Sequence, residues 1–484
     1  MKKLLSFDEV SNLNINETQE LYSQFISKHF TKFLNYFPYG KDLVNYSEGM
    51  YIYLEDGKKI LDITGGNGVL GLGHNHPRIL NVRNKFNSEK IMEVNKQYFS
   101  KYTAALAHNL SNLLPPNLNY SFFANSGAEA IDGAIKLAYK YHSGERKYIL
   151  ASDIAFHGKL IGSGSLTKDK KNSFSFQKIN DVLTFEYNKY ESVETLIEKH
   201  KDNIYALIVE PYSASTLQEL DTEFLIKLRS VTKKYNIVLI YDEIYTGWAK
   251  VGNLMNFMRV CKDHVNFNDS PSNCLCNNIA PDILTLSKTL GGGKSSISTY
   301  VTRKAIYEKT YSSIKEFSLH STTYSYFAEE AATALEAINV IIEDNYVEKL
   351  KDVSSILEGN FIKLQNKFPN KIINIHGKGL IRGIEFNLSF SQKDSSKLKN
   401  ITNKFKKNEF ERLIIASYIS YLYDKHNILV GIVDSEKPMI RISPSNIINE
   451  NEILILFSAL EDMLEKSLFN ILSKFIKTYI TNHF

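Results

Sequence analysis

Only three cysteines, Cys261, Cys274 and Cys276, occur in 484 residues. An odd number in so long a chain argues against a secreted disulfide framework and for a reducing compartment. No stretch approaches the run of about 18 apolar residues that a membrane-spanning helix needs. The opening MKKLLSFDEVSNLNINETQE meets Asp8 and Glu9 before any apolar segment resembling a secretory signal. The expectation is a cytoplasmic protein with no membrane partner. Strong charge imbalance is missing too: 58 Lys and Arg stand against 53 Asp and Glu, a formal +5. No basic run interleaved with aromatics stands out, so nucleic acid is not an expected partner. What is present, 43% hydrophobic and 23% charged residues, is ordinary for a globular protein of two or three domains.

Residues 50–64, MYIYLEDGKKILDIT, read as two short strands around the turn Glu55-Asp56-Gly57. After a glycine-rich passage, helical patterns alternate with apolar runs at 148–151, 206–209, 237–241 and 283–286. That alternation predicts an α/β fold with a large, mainly parallel sheet. Residues 327–342, rich in alanine and glutamate, predict a long helix leaving the sheet. The chain beyond it reads as a smaller α+β domain. The expected division is 1–75 as an N-terminal segment contributing to the small domain, 76–326 as the large domain and 327–484 as the small one. Residues 261–278, polar and carrying two of their three cysteines in CLC, read as an inserted surface loop.

Candidate chemistry begins at IVLIYDE, residues 237–243, where a β-branched run ends in two acids. Asp242 then stands at the carboxyl end of a buried strand, where open α/β sheets bind ligands; alone, it reads equally as the cap of a turn. A second apolar run, ILTLS, delivers Lys288 to what should be the same edge, before Gly291, Gly292 and Gly293. Such a lysine is either a surface residue before a flexible loop or, if buried, an amine that can lose its proton and act as a nucleophile. In residues 122–138, Ser126, Gly127 and Ala128 fall at a helix N-terminus, where free backbone N–H groups bind phosphate. Read alone, this is a Ser-capped helix with Glu129 in its first turn. Together the three features supply what pyridoxal phosphate needs: a phosphate anchor, a partner for the ring nitrogen and an amine for the aldehyde.

Competing motifs fail on particular residues. Gly66-Asn67-Gly68-Val69-Leu70-Gly71 has the form G-x-G-x-x-G, but Gly73 and Pro77 disrupt the helix that should follow. Gly293-Lys294-Ser295 resembles the end of a nucleoside-triphosphate loop, yet the required earlier glycine is replaced by Lys288. His74 with His76, and Cys274 with Cys276, have no partners at zinc-ligand spacing, so no metal is expected.

These residues resemble class III aminotransferases, the group that includes ornithine, acetylornithine and 4-aminobutyrate aminotransferases on the type I pyridoxal phosphate fold. The resemblance rests on LGHNHP at 72–77, NSGAEA at 125–130, FHG at 156–158 and EP at 210–211. It continues through DEIYTG at 242–247, SKTLGGG at 287–293, HSTTY at 320–324 and GKGLIRGIEF at 377–386. It implies that Lys288 forms the Schiff base and shuttles the proton, and that Asp242 pairs with the pyridine nitrogen. It further implies that Phe156 stacks on the ring, that Ser126, Gly127 and Ala128 surround the phosphate, and that Tyr245 lies beside the ring hydroxyl. Thr323 would reach the phosphate of a neighbouring subunit, implying a homodimer with shared sites. Arg441 would grip a substrate carboxylate, with Lys159 and Thr322 also on the substrate side. The small-molecule partners implied are an amino donor and a keto-acid acceptor.

The departures bear on substrate choice. Lys159 stands where ornithine-type members carry arginine after FHG, Ser215 where they carry glutamate after EP, and Tyr245 where glutamine is usual. Ser325-Tyr326-Phe327 replaces an expected glycine-asparagine-proline segment. Lysine offers a point charge rather than a planar fork, which puts glutamate and 2-oxoglutarate in doubt as co-substrates. An aminomutase, epimerase or decarboxylase on the same scaffold remains open at this level.

Overall fold

The structure, a computed structural model, describes residues 4–93, 97–168, 181–260, 274–388, 406–433 and 438–480. Its frame is a seven-stranded sheet. Before it come β1 (Val44–Glu48), β2 (Tyr51–Leu54) and β3 (Lys59–Asp62). β2 and β3 pair antiparallel around the expected turn, where Gly57 adopts φ +86°.

The large sheet comprises β4 (Leu118–Ala124), β5 (Tyr148–Ser152), β6 (Asp181–Phe185) and β7 (Ile204–Val209), followed by a small hairpin of β8 (Tyr212–Ser213) and β9 (Gln218–Glu219), then β10 (Val238–Asp242), β11 (Ile283–Leu286) and β12 (Ser298–Arg303). Leaving out the hairpin, its order is β4-β12-β11-β10-β7-β5-β6. Pairs from β6 through β11 are parallel, and β12 runs antiparallel between β11 and β4. The β-branched runs of β7, β10 and β11 are buried along their whole length, as expected for strands covered by helices on both faces.

β12 was not anticipated. Its STYVTR sequence reads as polar, yet its first five residues are buried. Burial is tolerated because Ser298 Oγ donates to the Ser126 carbonyl at 2.7 Å, Thr299 Oγ1 to Phe122 at 3.0 Å and Thr302 Oγ1 to Asp282 at 3.0 Å.

The long helix spans Ala328–Glu343, one residue later than expected, with Phe327 at its N-cap. It packs on helices Pro77–Ser88 and Lys101–Leu113. Pro77 corrects one expectation: it opens a helix at its first position, where the missing N–H is harmless, rather than breaking one. The smaller α+β part carries β13 (Ile372–Lys378), β14 (Ile381–Phe386), β15 (Ile428–Leu429), β16 (Gly431–Val433) and β17 (Met439–Ile442). β13-β14-β17-β16 form an antiparallel sheet, while β15 joins β3 in parallel.

The expected insertion at 261–278 lies mostly outside the described residues. Its last part is a short helix, Leu275–Ile279, with Cys276 and Ile279 buried. Among the described residues, no helix is long and apolar enough to cross a membrane.

Candidate active site

Four parallel strands deliver side chains to one edge of the large sheet. Phe156 and His157 follow β5, Glu210 follows β7, Asp242 ends β10 and Lys288 lies just beyond β11. This is the carboxyl edge at which open sheets bind ligands.

Lys288 opens a 3-10 turn, Lys288–Gly291, and itself adopts φ +48°, a left-handed conformation uncommon for a residue with a Cβ. The turn is held by its neighbour: Thr289 Oγ1 donates to the Gly68 carbonyl at 2.8 Å. Lys288 retains some side-chain exposure, but burial around its amine pushes its pKa down to about 8, against the opposing pull of Asp242 and Glu210. An appreciable fraction of the amine is therefore uncharged near neutral pH.

Asp242 is 6% exposed. Its Oδ2 lies 2.8 Å from His157 Nδ1, and its Oδ1 accepts from the Ile244 amide at 3.0 Å. His157 Nε2 is buried without a partner among the described residues. Beside this pair, Glu210 Oε2 accepts from the Phe156 amide at 3.0 Å. Burial raises the Glu210 pKa, assisted by the Asp242 charge, while His157 opposes the rise. The Phe156 ring is 44% exposed on the loop above.

Ser126 caps the helix Gly127–Tyr141. Its hydroxyl accepts from the Glu129 amide at 3.3 Å, and Glu129 Oε2 accepts from the Ser126 amide at 2.9 Å. Both readings of this segment hold in part: it is a capped helix, yet the Gly127 and Ala128 amides have no acceptor among the described residues. Gly127 is closely packed: a Cβ there would lie 3.0 Å from Ile244 Cδ1, which would have to shift. Thr322 Oγ1 donates to Asn125 Oδ1 at 2.7 Å beside the same helix end, whereas Thr323 is exposed.

The antiparallel sheet of β13, β14, β16 and β17 contributes through β17. Arg441 Nη2 donates to the Ala214 carbonyl at 3.0 Å, and no acid pairs with Arg441 among the described residues. Ser215 lies next to that carbonyl, with its Oγ 3.1 Å from Ser213 Oγ. Tyr245 directs its hydroxyl to Ser443 Oγ at 3.1 Å, and its ring centroid lies 4.0 Å from Lys288 Nζ and 5.7 Å from Arg441 Cζ. Lys159 is exposed on the loop after His157.

Sequence reasoning assigned no role to His157, Glu210 or Lys250. Glu210 carried a usable signal, an acid ending an apolar run, as Asp242 did. His157 lay within FHG, but its pairing with Asp242 spans 85 positions. Lys250 gave no signal; it is 1% exposed and donates to the carbonyls of Ser443 and Pro444.

The residues present fit pyridoxal phosphate: an amine that loses its proton readily, a buried carboxylate with a fixed orientation, two unengaged amides at a helix N-terminus and an aromatic face converge on one edge. The fold has solved counterparts. An ornithine aminotransferase from Toxoplasma gondii ME49 superposes with a TM-score of 0.74 at 17% identity, over 94% of this chain and 96% of that one. A transaminase from the marine bacterium Virgibacillus gives 0.74 at 19% identity, covering 90% and 94%. An acetylornithine aminotransferase from Elizabethkingia anophelis gives 0.68 at 21% identity, covering 94% and 99%. The family model for class III aminotransferases matches residues 39–464. With the type I architecture and this constellation already in place, that match means the chain belongs to the class III aminotransferase family and is a pyridoxal-phosphate-dependent transaminase.

Proposed function

We propose that Lys288 and Asp242 are the catalytic pair, and that the site moves an amino group from an amino acid or amine donor to a keto acid. The observation that carries this is the arrival of an amine with a lowered pKa and a doubly held carboxylate at one sheet edge. When bound, pyridoxal phosphate supplies an electron-withdrawing pyridine that stabilises negative charge at the reacting carbon. Lys288 Nζ would bond to the cofactor's aldehyde carbon, with the aldehyde oxygen leaving as water, and when free would carry the proton to and from the reacting carbon. Asp242 holds the proton on the ring nitrogen, with His157 and the Ile244 amide fixing its carboxylate. The Gly127 and Ala128 amides, with the helix dipole behind them, bind the phosphate at the end capped by Ser126. Phe156, exposed on the loop after β5, would cover a face of the ring, and Tyr245 would border the pocket beside Lys288.

On the substrate side, Arg441 binds a carboxylate as a bidentate fork, with Lys159 and Thr322 at the rim. We further propose a homodimer in which Thr323 completes the partner's phosphate site. The exposure of Thr323 supports this, as does that of the apolar residues Ile314 (91%), Phe317 (64%) and Tyr324 (59%) in the segment 314–324 that carries it. Division of the chain at 75/76 and 326/327 is supported by the pairing of β3 with β15 and by the bond from the Ser443 amide to the Ile63 carbonyl.

Borohydride reduction of the cofactor-loaded protein, followed by peptide mapping, tests the central assignment. The expected result is a covalent adduct on Lys288; an adduct on Lys294, or none, overturns it.

A further inference from the structure

The geometry points to Tyr245 as a positioning residue for the free amine of Lys288, its ring face holding the ammonium against the glycine loop. This rests on the reading of Lys288 as the cofactor's amine and assigns Tyr245 a task different from a hydrogen bond to the cofactor. The hydroxyl is engaged elsewhere, on Ser443 Oγ at 3.1 Å, which leaves the ring as the part turned to the site. Lys288 Nζ lies 4.0 Å from the ring centroid, a contact at which the negative face of the aromatic system attracts a cation.

Two further features fix this pair. Gly68, at φ +92°, runs against both partners: a Cβ there would lie 3.2 Å from Lys288 Cδ and 3.4 Å from Tyr245 Cε2. A side chain here would be strained by that φ and would crowd the lysine stem. Lys288 also sits at φ +48°, so its side chain leaves the strand end along an uncommon path that brings Nζ over the ring.

The free amine exists during turnover whenever a substrate amine has displaced Lys288. A long, flexible side chain released inside a pocket must be kept within reach of the reacting carbon, and a ring face does this without removing the lysine's proton-carrying capacity. Burial and the Arg441 charge favour loss of that proton, Asp242 and Glu210 favour keeping it, and the ring face acts on the side that keeps it. Because Ser443 follows Arg441 by two residues, the ring that receives the amine is also tied to the strand that would bind a substrate carboxylate.

The test reads the amine directly. Full-length protein freed of pyridoxal phosphate is carbamylated with cyanate across pH 6–11, and peptide mass spectrometry follows Lys288 with exposed Lys294 as internal reference. Tyr245→Phe is expected to reproduce the unaltered labelling curve. Tyr245→Leu is expected to move its midpoint down by roughly one pH unit, because the charged form loses its support. Fluorinated phenylalanines at position 245 keep the shape while draining charge from the ring face, and are expected to move the midpoint down in step with fluorine count. That series decides the matter even if the leucine variant misfolds. An unchanged curve across the fluorinated series overturns the proposal, as does an equal shift in the Phe and Leu variants, which would place the effect in the hydroxyl. Absence of a borohydride adduct would instead fail the cofactor assignment while leaving this labelling result readable.

Discussion

His157 Nδ1 lies 2.8 Å from Asp242 Oδ2, with both side chains buried. An ionised carboxylate only accepts, so the imidazole donates through Nδ1. The contact orients the acid from the side opposite the Ile244 amide. His157→Phe removes this charge-assisted bond and is expected to slow the half-reaction about tenfold, equivalent to ~1.4 kcal/mol. Cofactor retention through the helix amides should persist. Stopped-flow absorbance of the half-reaction measures the first and equilibrium dialysis the second; unaltered rates would mean that Asp242 keeps its orientation without the histidine.

Lys250 connects the two parts of the molecule from inside, donating to the Ser443 and Pro444 carbonyls. Burial pushes its pKa down to about 7. Above pH 7 the folded chain holds this amine uncharged, whereas the unfolded chain keeps it protonated up to the ordinary range near 10.4. The unfolded state then binds the extra proton, so this group makes stability rise with pH across that window and leaves it flat below. Lys250→Met is expected to destabilise by about 1–3 kcal/mol at pH 9, where two carbonyls lose a donor. The gap should narrow toward pH 7, as the unaltered chain loses its advantage. Urea midpoints of both proteins at pH 7 and 9 check this, and a gap that widens toward pH 7 contradicts it.

The sheet was legible where burial on both faces forces β-branched runs, as in Ile204–Val209 and Ile283–Leu286, and where such runs end in chemistry-bearing residues. Asp242 and Lys288 could be read for that reason. Ser298–Arg303 escaped because its hydroxyls disguise a buried strand until their carbonyl partners are known. The pairing of β14 with β17 joins residues 381–386 to 439–442, a distance over which periodicity carries no information. His157 and Lys250 were opaque for the same reason: their meaning lies in a tertiary partner. Tyr245 was read for its hydroxyl, and only the contact with Ser443 reveals that its ring is the part facing Lys288.

The proposed dimer with shared sites predicts a complementation result. Lys288→Ala and Thr323→Ala are each expected to lose most activity as homodimers, the second through weakened phosphate binding. Hybrid dimers carry one site with both native groups and should regain up to half the activity per dimer. Subunit exchange is verified by native mass spectrometry before the assay; no recovery after verified exchange shows that Thr323 acts within its own subunit or not at all.

The proposed carboxylate-binding role of Arg441 predicts a selective effect on substrate choice. Its Nη2 is bonded to the Ala214 carbonyl, its Nε is buried without a partner, and no described acid neutralises it. A guanidinium left this way favours an incoming carboxylate, and Ser215 beside it offers no internal competitor for the fork. Arg441→Ala is therefore expected to lower kcat/KM for amino acids by about a hundredfold, the equivalent of ~2.7 kcal/mol of charge-assisted bonding. The decarboxylated amine of the same skeleton, which makes no such contact, should change far less. Glutamate should not be the best donor for the unaltered enzyme, since Lys159 and Ser215 stand where ornithine-type members carry arginine and glutamate. Parallel kcat/KM measurements on an amino acid and its amine, in both proteins, separate binding from support of the fold. An equal loss on both substrates means that Arg441 supports the fold alone, through its bond to Ala214. Selective loss on the acid places the carboxylate at this residue, and the ratio of the two losses measures how much of the acid's transition-state binding the fork supplies.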